Sequence, residues 1–370
     1  VPGSGEPDAS ARLLAANLSR SLDLAWRRTS YSAILAGSPQ PSVELVRSEP
    51  ERGGILDEPE TALVVPLSGG NTTEAAVTGD VVQHLRTHTL PLASMPGGAD
   101  VGTFIHRLLE LVDFASGDLR AHIQEIVQGE WARRPPSLDD PAVVVGGLEA
   151  AIRTPLGPSV GGVSLGAVSR ADRLDEVAFE LPLAGGDDPR GTVLTEQISR
   201  LFAAHLDRDG PLRGYAERLA SPSLSADLRG YLTGSLDLVF RQRTGKAGHR
   251  YFVADYKTNR LAAAEEPLSA WHYRPEALDA AMQHAHYPLQ AILYTIALHR
   301  YLRWRLPGYD PEQNLGGVLY LFLRGMSGPD CPVVGDQTCG VFVWKPPAAL
   351  VVGLSELFDL PAAATPGDRL

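Results

Sequence analysis

Two short runs constrain this chain more than any other feature. "GSLDLVF" (234–240) and "FVADYKTN" (252–259) are apolar strand candidates interrupted by Asp237 in the first and by Asp255 and Lys257 in the second. Side chains alternate faces along a strand, so Tyr251, Val253, Asp255 and Lys257 share one side while Phe252, Ala254 and Tyr256 share the other. In the first run Leu236, Leu238 and Phe240 form the side opposite Asp237. "RTGKAGH" between them carries the glycines of a hairpin turn, and pairing through it brings Asp237 beside Asp255. Two carboxylates in one place repel, and neither is cheaply buried alone, so the pair calls for a cation. Hard oxygen ligands favour magnesium, and Lys257 on the same face is suited to orient water and offset developing negative charge. An Asp-x-Lys tripeptide alone is common on solvent-facing strands; the preceding Asp237 is what gives it weight.

The formal net charge of -11 argues at first against a polyanionic partner. The acids are unevenly spread, however: residues 280–306 hold Arg300, Arg303 and Arg305 and no acid. The two cysteines, Cys331 and Cys339, are too few for a four-cysteine zinc site or an iron–sulfur cluster, and read as reduced thiols. No phosphate-binding G-x-x-x-x-G-K-[ST] occurs, because "TGKAGH" lacks the first glycine and the hydroxyl residue, so no ATP site is expected in this chain. No run approaches the ~20 apolar residues of a membrane span.

Helical spacing over residues 8–35 predicts one helix or two short ones, grouped as a segment 1–36. From 37 to 95 the composition turns to Pro, Gly, Ser and Thr, as in "PLSGGNTT", which reads as a linker with little core of its own. The remainder, 96–370, is expected to form one domain. In it, "DVGTFIHRLLELVDFA" starts a helix with Asp100 or Thr103 as N-cap, and helix continues to 153 with breaks at Pro135 and Gly146. "VSRADRLDEVAFELPL" alternates as a strand, 192–222 and 276–305 are helical, and "GGVLYLFLRGM" and "GVFVWKP" supply two more strands. The fold class expected is α/β (α+β), a small central mixed sheet flanked by helices.

With these residues in place, the sequence resembles the PD-(D/E)xK nuclease superfamily, and within it the C-terminal nuclease domain of the RecB helicase-nucleases. The resemblance is carried by Asp237 and the Asp255-x-Lys257 strand, with "WRRTSYS" (26–32), "GTFIHRLLE" (102–110), "YPLQAILYTIALHRYL" (287–302) and "GGVLYLFLRG" (316–325) in the family's order. It implies a restriction-endonuclease-like core and a magnesium-dependent DNA nuclease of the exodeoxyribonuclease V type, used in double-strand-break repair and recombination. Segment 1–36 would then be the end of the helicase part. The implied partners are single-stranded DNA, the helicase part of the same longer chain, and RecC- and RecD-type subunits, in a bacterial cytoplasm and without a membrane.

Position by position, the resemblance makes Asp237 and Asp255 the metal-binding acids, Lys257 the catalytic lysine, and His106 and the backbone carbonyl of Tyr256 further ligands. On the residues alone, His106 reads as a hydrogen-bonded core histidine. Glu176 sits where the family has an acid linked to the site; "AFE" departs from the usual "EF", which leaves Glu180 open as the alternative. Gln290 and Tyr294, four apart on one helix face, resemble a Q-x-x-x-Y motif lining the DNA path, against the plainer reading of Tyr294 as core. Arg300, Arg303 and Arg305 extend that helix toward phosphates, or form a solvated last turn favoured by the helix dipole. The rival readings are a catalytically idle nuclease-like docking module and a phosphohydrolase of small substrates.

Overall fold

Period-two alternation in the central runs sorts their side chains between two apolar cores, one on each side of a sheet. Val318, Tyr320 and Phe322 belong to one core and Leu319, Leu321 and Leu323 to the other; Val253 and the pair Phe252 and Ala254 divide in the same way. Strands buried on both faces read as continuous apolar runs, which is why these segments stand out in the sequence. The structure is a computed structural model that describes residues 27–31 and 79–359, apart from 139, 184–192, 208–209, 211, 213, 222–226, 229, 246–247 and 264.

The sheet has six strands: β1 (Arg27–Thr29), β2 (Arg173–Leu183), β3 (Gly230–Arg243), β4 (His249–Lys257), β5 (Leu315–Phe322) and β6 (Val341–Trp344). Their order is β1, β3, β4, β5, β6, with β2 also paired to β3. The sheet is mixed, β1 with β3 and β4 with β5 being parallel and the other pairs antiparallel. The expected hairpin is present, with Leu238 opposite Ala254 and Arg243 opposite His249, closed by the Thr244 N–H on the Gly248 carbonyl at 3.0 Å. The pairing ends at Leu238 and Ala254, one residue short of Asp237 and Asp255.

One core packs helices α2 (Ala99–Leu111), α3 (Leu119–Arg133) and α4 (Pro141–Arg153) on the sheet; the other packs α5 (Thr195–His205), α6 (Tyr215–Leu219), α7 (Pro275–His284), α8 (Tyr287–Arg305) and α10 (Ala348–Asp359). The short α9 (Pro311–Asn314) leads into β5. The parallel β4–β5 pair needs a crossover, and α7 to α9 supply it. Helix α8 is buried around its whole circumference from Tyr287 to His299, so its polar side chains there must be satisfied inside the core.

Several expected elements differ. The expected helix over 8–35 is a strand at 27–29, paired with Gly230–Leu232; residues 8–26 and 32–35 lie outside the described residues. The linker reading of 37–95 fails at its end: α1 (Gly79–Thr87) is helical, and Leu85, Leu90, Leu92 and Met95 are buried. Residues 37–78 lie outside the described residues. The break expected at Gly146 is absent because α4 runs through it, with Gly147 lying against Leu92; a Cβ there would come 2.1 Å from Leu92 Cδ2. Neither Asp100 nor Thr103 caps α2, whose N-cap is Gly98; the Asp100 carboxylate instead accepts from the Ser137 N–H, 3.1 Å away. The 276–305 helix is two, divided where His286 takes a left-handed φ of 57° and Pro288 opens the next first turn.

Candidate active site

Strand β2 covers one edge of β3 from Gly230 to Phe240, so β1 and β4 share the opposite edge, β1 at residues 230–232 and β4 at 238–243. The stretch between them is a fork, and Asp237 stands at its inner corner. Instead of continuing the ladder, the Tyr256 N–H donates to Asp237 Oδ2 at 2.8 Å. The carboxylate thus satisfies a backbone donor that strand divergence would leave open.

On β2 the ladder breaks opposite the same place. Asp175 pairs with Leu238 and Val177 with Leu236, while Glu176 between them has a left-handed φ of 49°, sparsely populated by non-glycine residues. Leu238 and Phe240 lie in one core and Leu232 and Leu236 in the other. The strand pair therefore crosses between cores at the position of Glu176 and Asp237.

Helix α2 delivers His106 to the same fork. Its Nδ1 is 3.5 Å from Asp237 Oδ2 and its Nε2 is 3.0 Å from the Tyr256 carbonyl oxygen. His106, Glu176 and Asp237 each offer a ligand atom, and these atoms all lie within 4.8 Å of one another. Among the described residues, theirs is the group of that kind. Ser235 Oγ donates to Glu176 Oε2 at 3.0 Å and steadies its carboxylate. One imidazole and two carboxylates whose ligand atoms lie this close suit a hard divalent cation.

Burial alone would pull His106 down, but the Asp237 carboxylate outweighs it and raises the imidazole to about 9. Burial would push Asp237 up, and His106 holds it below the usual carboxylate range instead. Glu176 is raised, by burial first and by the charge of Asp237 second.

Asp255 and Lys257 occupy the other side of the fork. Both are buried, and Lys257 Nζ is 2.8 Å from Asp255 Oδ2. Asp255 is therefore turned to the lysine and is not among the three groups whose atoms cluster, a departure from the expected shared chelation by Asp237 and Asp255. The ammonium lies over Tyr287, 4.3 Å from its centroid, and 5.5 Å from that of Tyr320. These contacts hold a long, rotamer-rich side chain in one place.

Gln290 and Tyr294 lie beneath this lysine, not along an open path. They are 1% and 2% exposed; Gln290 Nε2 donates to Tyr294 Oη at 3.0 Å, and Tyr320 Oη donates to Gln290 Oε1 at 2.8 Å. Mutual hydrogen bonding is what lets this polar set stay buried. Arg300 and Arg303 are at the far end of α8. The Arg300 guanidinium is bound by Ser355 and by Asp359, at 2.6 Å, and Arg303 faces Asp359 at 3.7 Å. The structure brings neither to the fork. Arg305 lies beside the exposed Trp304 at the same end. Glu180 is also outside the site, paired with Arg28 at 2.8 Å.

One supporting residue is absent from the sequence-based expectations. Arg324, 1% exposed, donates to the carbonyls of Thr258 (2.6 Å), Leu92 (3.1 Å), Pro96 (2.7 Å) and Met95. It joins the residue after Lys257 to the loop that leads into the His106 helix. An arginine in an apolar strand run is the sort of residue that must be satisfied internally, and that alone could have singled it out.

The family model described as the PD-(D/E)XK nuclease superfamily matches residues 82–338. The chain is 44% identical over 352 residues to the RecBCD enzyme subunit RecB of Mycobacterium tuberculosis (strain ATCC 25618 / H37Rv), a match that covers 92% of this chain and 29% of that protein. The RecB subunit of Mycolicibacterium smegmatis is 40% identical over 353 residues (95% and 30%), and that of Escherichia coli (strain K12) is 32% identical over 357 (95% and 24%). The chain thus spans less than a third of the length of these relatives. A family match over well over half of the chain, taking in β2, β3, β4 and the helix that brings His106 to the fork, makes this protein a member of the PD-(D/E)XK nuclease superfamily.

Proposed function

We propose that the chain is the nuclease module of a RecBCD-type enzyme, hydrolysing DNA phosphodiester bonds with magnesium in double-strand-break repair and recombination. The observation that carries this reading is the convergence of His106, Glu176 and Asp237 within 4.8 Å at a strand fork whose other side bears Asp255 and Lys257. The resemblance to RecB subunits supports single-stranded DNA as substrate and RecC- and RecD-type subunits as partners.

A magnesium ion held by His106, Glu176, Asp237 and the Tyr256 carbonyl, with Asp255 as the remaining acid of the site, would supply a Lewis acid for the phosphoryl oxygen and acidify a water. The chain's own groups do the rest. Asp255 orients the Lys257 ammonium, and the rings of Tyr287 and Tyr320 confine it, so that it donates to the attacking water or to a phosphoryl oxygen as negative charge grows there. Its positive charge is placed in advance, in a setting of low exposure where a charge acts strongly. Glu176, whose carboxyl is raised by burial and by the charge of Asp237, is placed to take a proton from that water.

The test is cleavage of linear single-stranded DNA with magnesium, with EDTA, and by Lys257→Ala. Magnesium should support cutting, EDTA should stop it, and the substitution should lower the rate by on the order of 10²–10³-fold, as loss of one transition-state donor does. Full activity of the folded Lys257→Ala protein would refute the role given to the lysine.

A further inference from the structure

Outside the fork, three residues from two segments build a cationic feature that the hydrolytic site does not use. Arg86, on α1, has its guanidinium carbon 4.6 Å from the centroid of Trp271, and that of Arg274 is 3.7 Å from the same centroid. Arg274 is a fixed part of this arrangement: it donates to the Trp271 carbonyl at 2.7 Å, faces Glu276 at 3.5 Å, and its side chain is 13% exposed. Arg86 is exposed, and among the described residues its partner is the indole, with no carboxylate in ion-pair reach. Glu266 faces His272 Nε2 at 3.0 Å.

Two guanidinium groups sharing one ring can be no further apart than the two centroid distances laid end to end. Arg274 faces Glu276, so Arg86 is the guanidinium of the two with no carboxylate in ion-pair reach among the described residues, and it stands exposed at the surface. Planar guanidinium on indole is also pre-organised, so little freedom is lost when an oxyanion binds.

The ledge is tied to the catalytic strand. Tyr273, between Trp271 and Arg274, donates to the Asn259 carbonyl at 2.8 Å, two residues beyond Lys257. Tyr287, whose ring carries the Lys257 ammonium, reaches the Asn259 side chain at 3.4 Å. We infer that Arg86, held on Trp271 with Arg274, binds a backbone phosphate of the polynucleotide strand beside the cutting site. This deepens the nuclease reading and rests on it for the identity of the ligand.

The test is fluorescence anisotropy of a labelled oligothymidylate with the full chain in EDTA, over a series of salt concentrations. Working without divalent cation separates binding from cleavage. Arg86→Ala and Arg86→Glu should weaken binding, and the slope of log affinity against log salt should fall by about 0.7 for the lost phosphate contact. Arg86→Lys should restore the slope, because the charge returns. Trp271→Leu should weaken binding in the same direction while the thermal midpoint is monitored. Affinity and slope unchanged in Arg86→Glu would overturn the inference. So would a loss of affinity at constant slope, which marks a structural role, and so would failure of the wild-type chain to bind. A wild-type chain that binds with the expected slope but never cuts would sink the nuclease reading and leave the ledge standing.

Discussion

His106 Nδ1 lies 3.5 Å from Asp237 Oδ2, and each group holds the other's charge in place: the imidazole is raised to about 9 and the carboxyl is held below its usual range. To ligate a cation, the imidazole must give up that proton. Cation affinity should therefore rise with pH, about tenfold per unit between roughly 7 and 9 if one proton is released. Titration calorimetry in buffers of different ionisation enthalpy should count that proton.

The same shift has the opposite consequence for the metal-free protein. A folded-state value above the unfolded value near 6.5 stabilises the fold fully below that pH, and the stabilisation is lost as pH rises through about 9. Thermal midpoints in EDTA should fall from pH 6.5 to 9, and His106→Gln should flatten the decline. A wild-type midpoint that climbs over that range would contradict the coupling of His106 to Asp237.

Glu176 and Glu180 should behave differently. Glu176→Gln removes one of the three clustered groups, an exposed carboxylate steadied by Ser235, and should lower divalent-cation affinity by about tenfold or more. Glu180→Gln removes only an exposed pair with Arg28, worth about 0–1 kcal/mol, and should leave cation affinity unchanged. Calorimetric titration of both variants with manganese decides between them.

How far the sequence reveals this site depends on regularity. Asp237, Asp255, Lys257 and their hairpin are legible because alternation and a glycine-containing turn obey local rules. The choice between Glu176 and Glu180 is not: the two share a parity on β2, and the left-handed φ of Glu176 that breaks the ladder has no glycine to announce it. The division of the 276–305 helix at His286 is hidden for the same reason. Arg300 looks like a phosphate ligand in one dimension, but α10 packs beside it and takes its guanidinium. Gln290 and Tyr294 share a face as expected, yet burial of α8 on all sides turns that face inward.

Arg324 should prove a structural anchor for the site. Its guanidinium binds four backbone carbonyls from two segments, and charge-assisted bonds contribute about 1.5–3 kcal/mol each without adding fully. Arg324→Met should cost about 3 kcal/mol or more in urea unfolding. Arg324→Lys should recover only part, since one ammonium cannot span the same four acceptors. A loss below about 1 kcal/mol in Arg324→Met would show that the loop 92–96 and Thr258 are held by other contacts.

The central claim is that the fork holds a divalent cation. Crystals soaked in manganese and measured for anomalous scattering test it most directly. A peak ligated by His106, Glu176 and Asp237 and lost in Asp237→Asn is expected; density bound elsewhere, with these three side chains apart and unligated, would contradict a cation held at the fork.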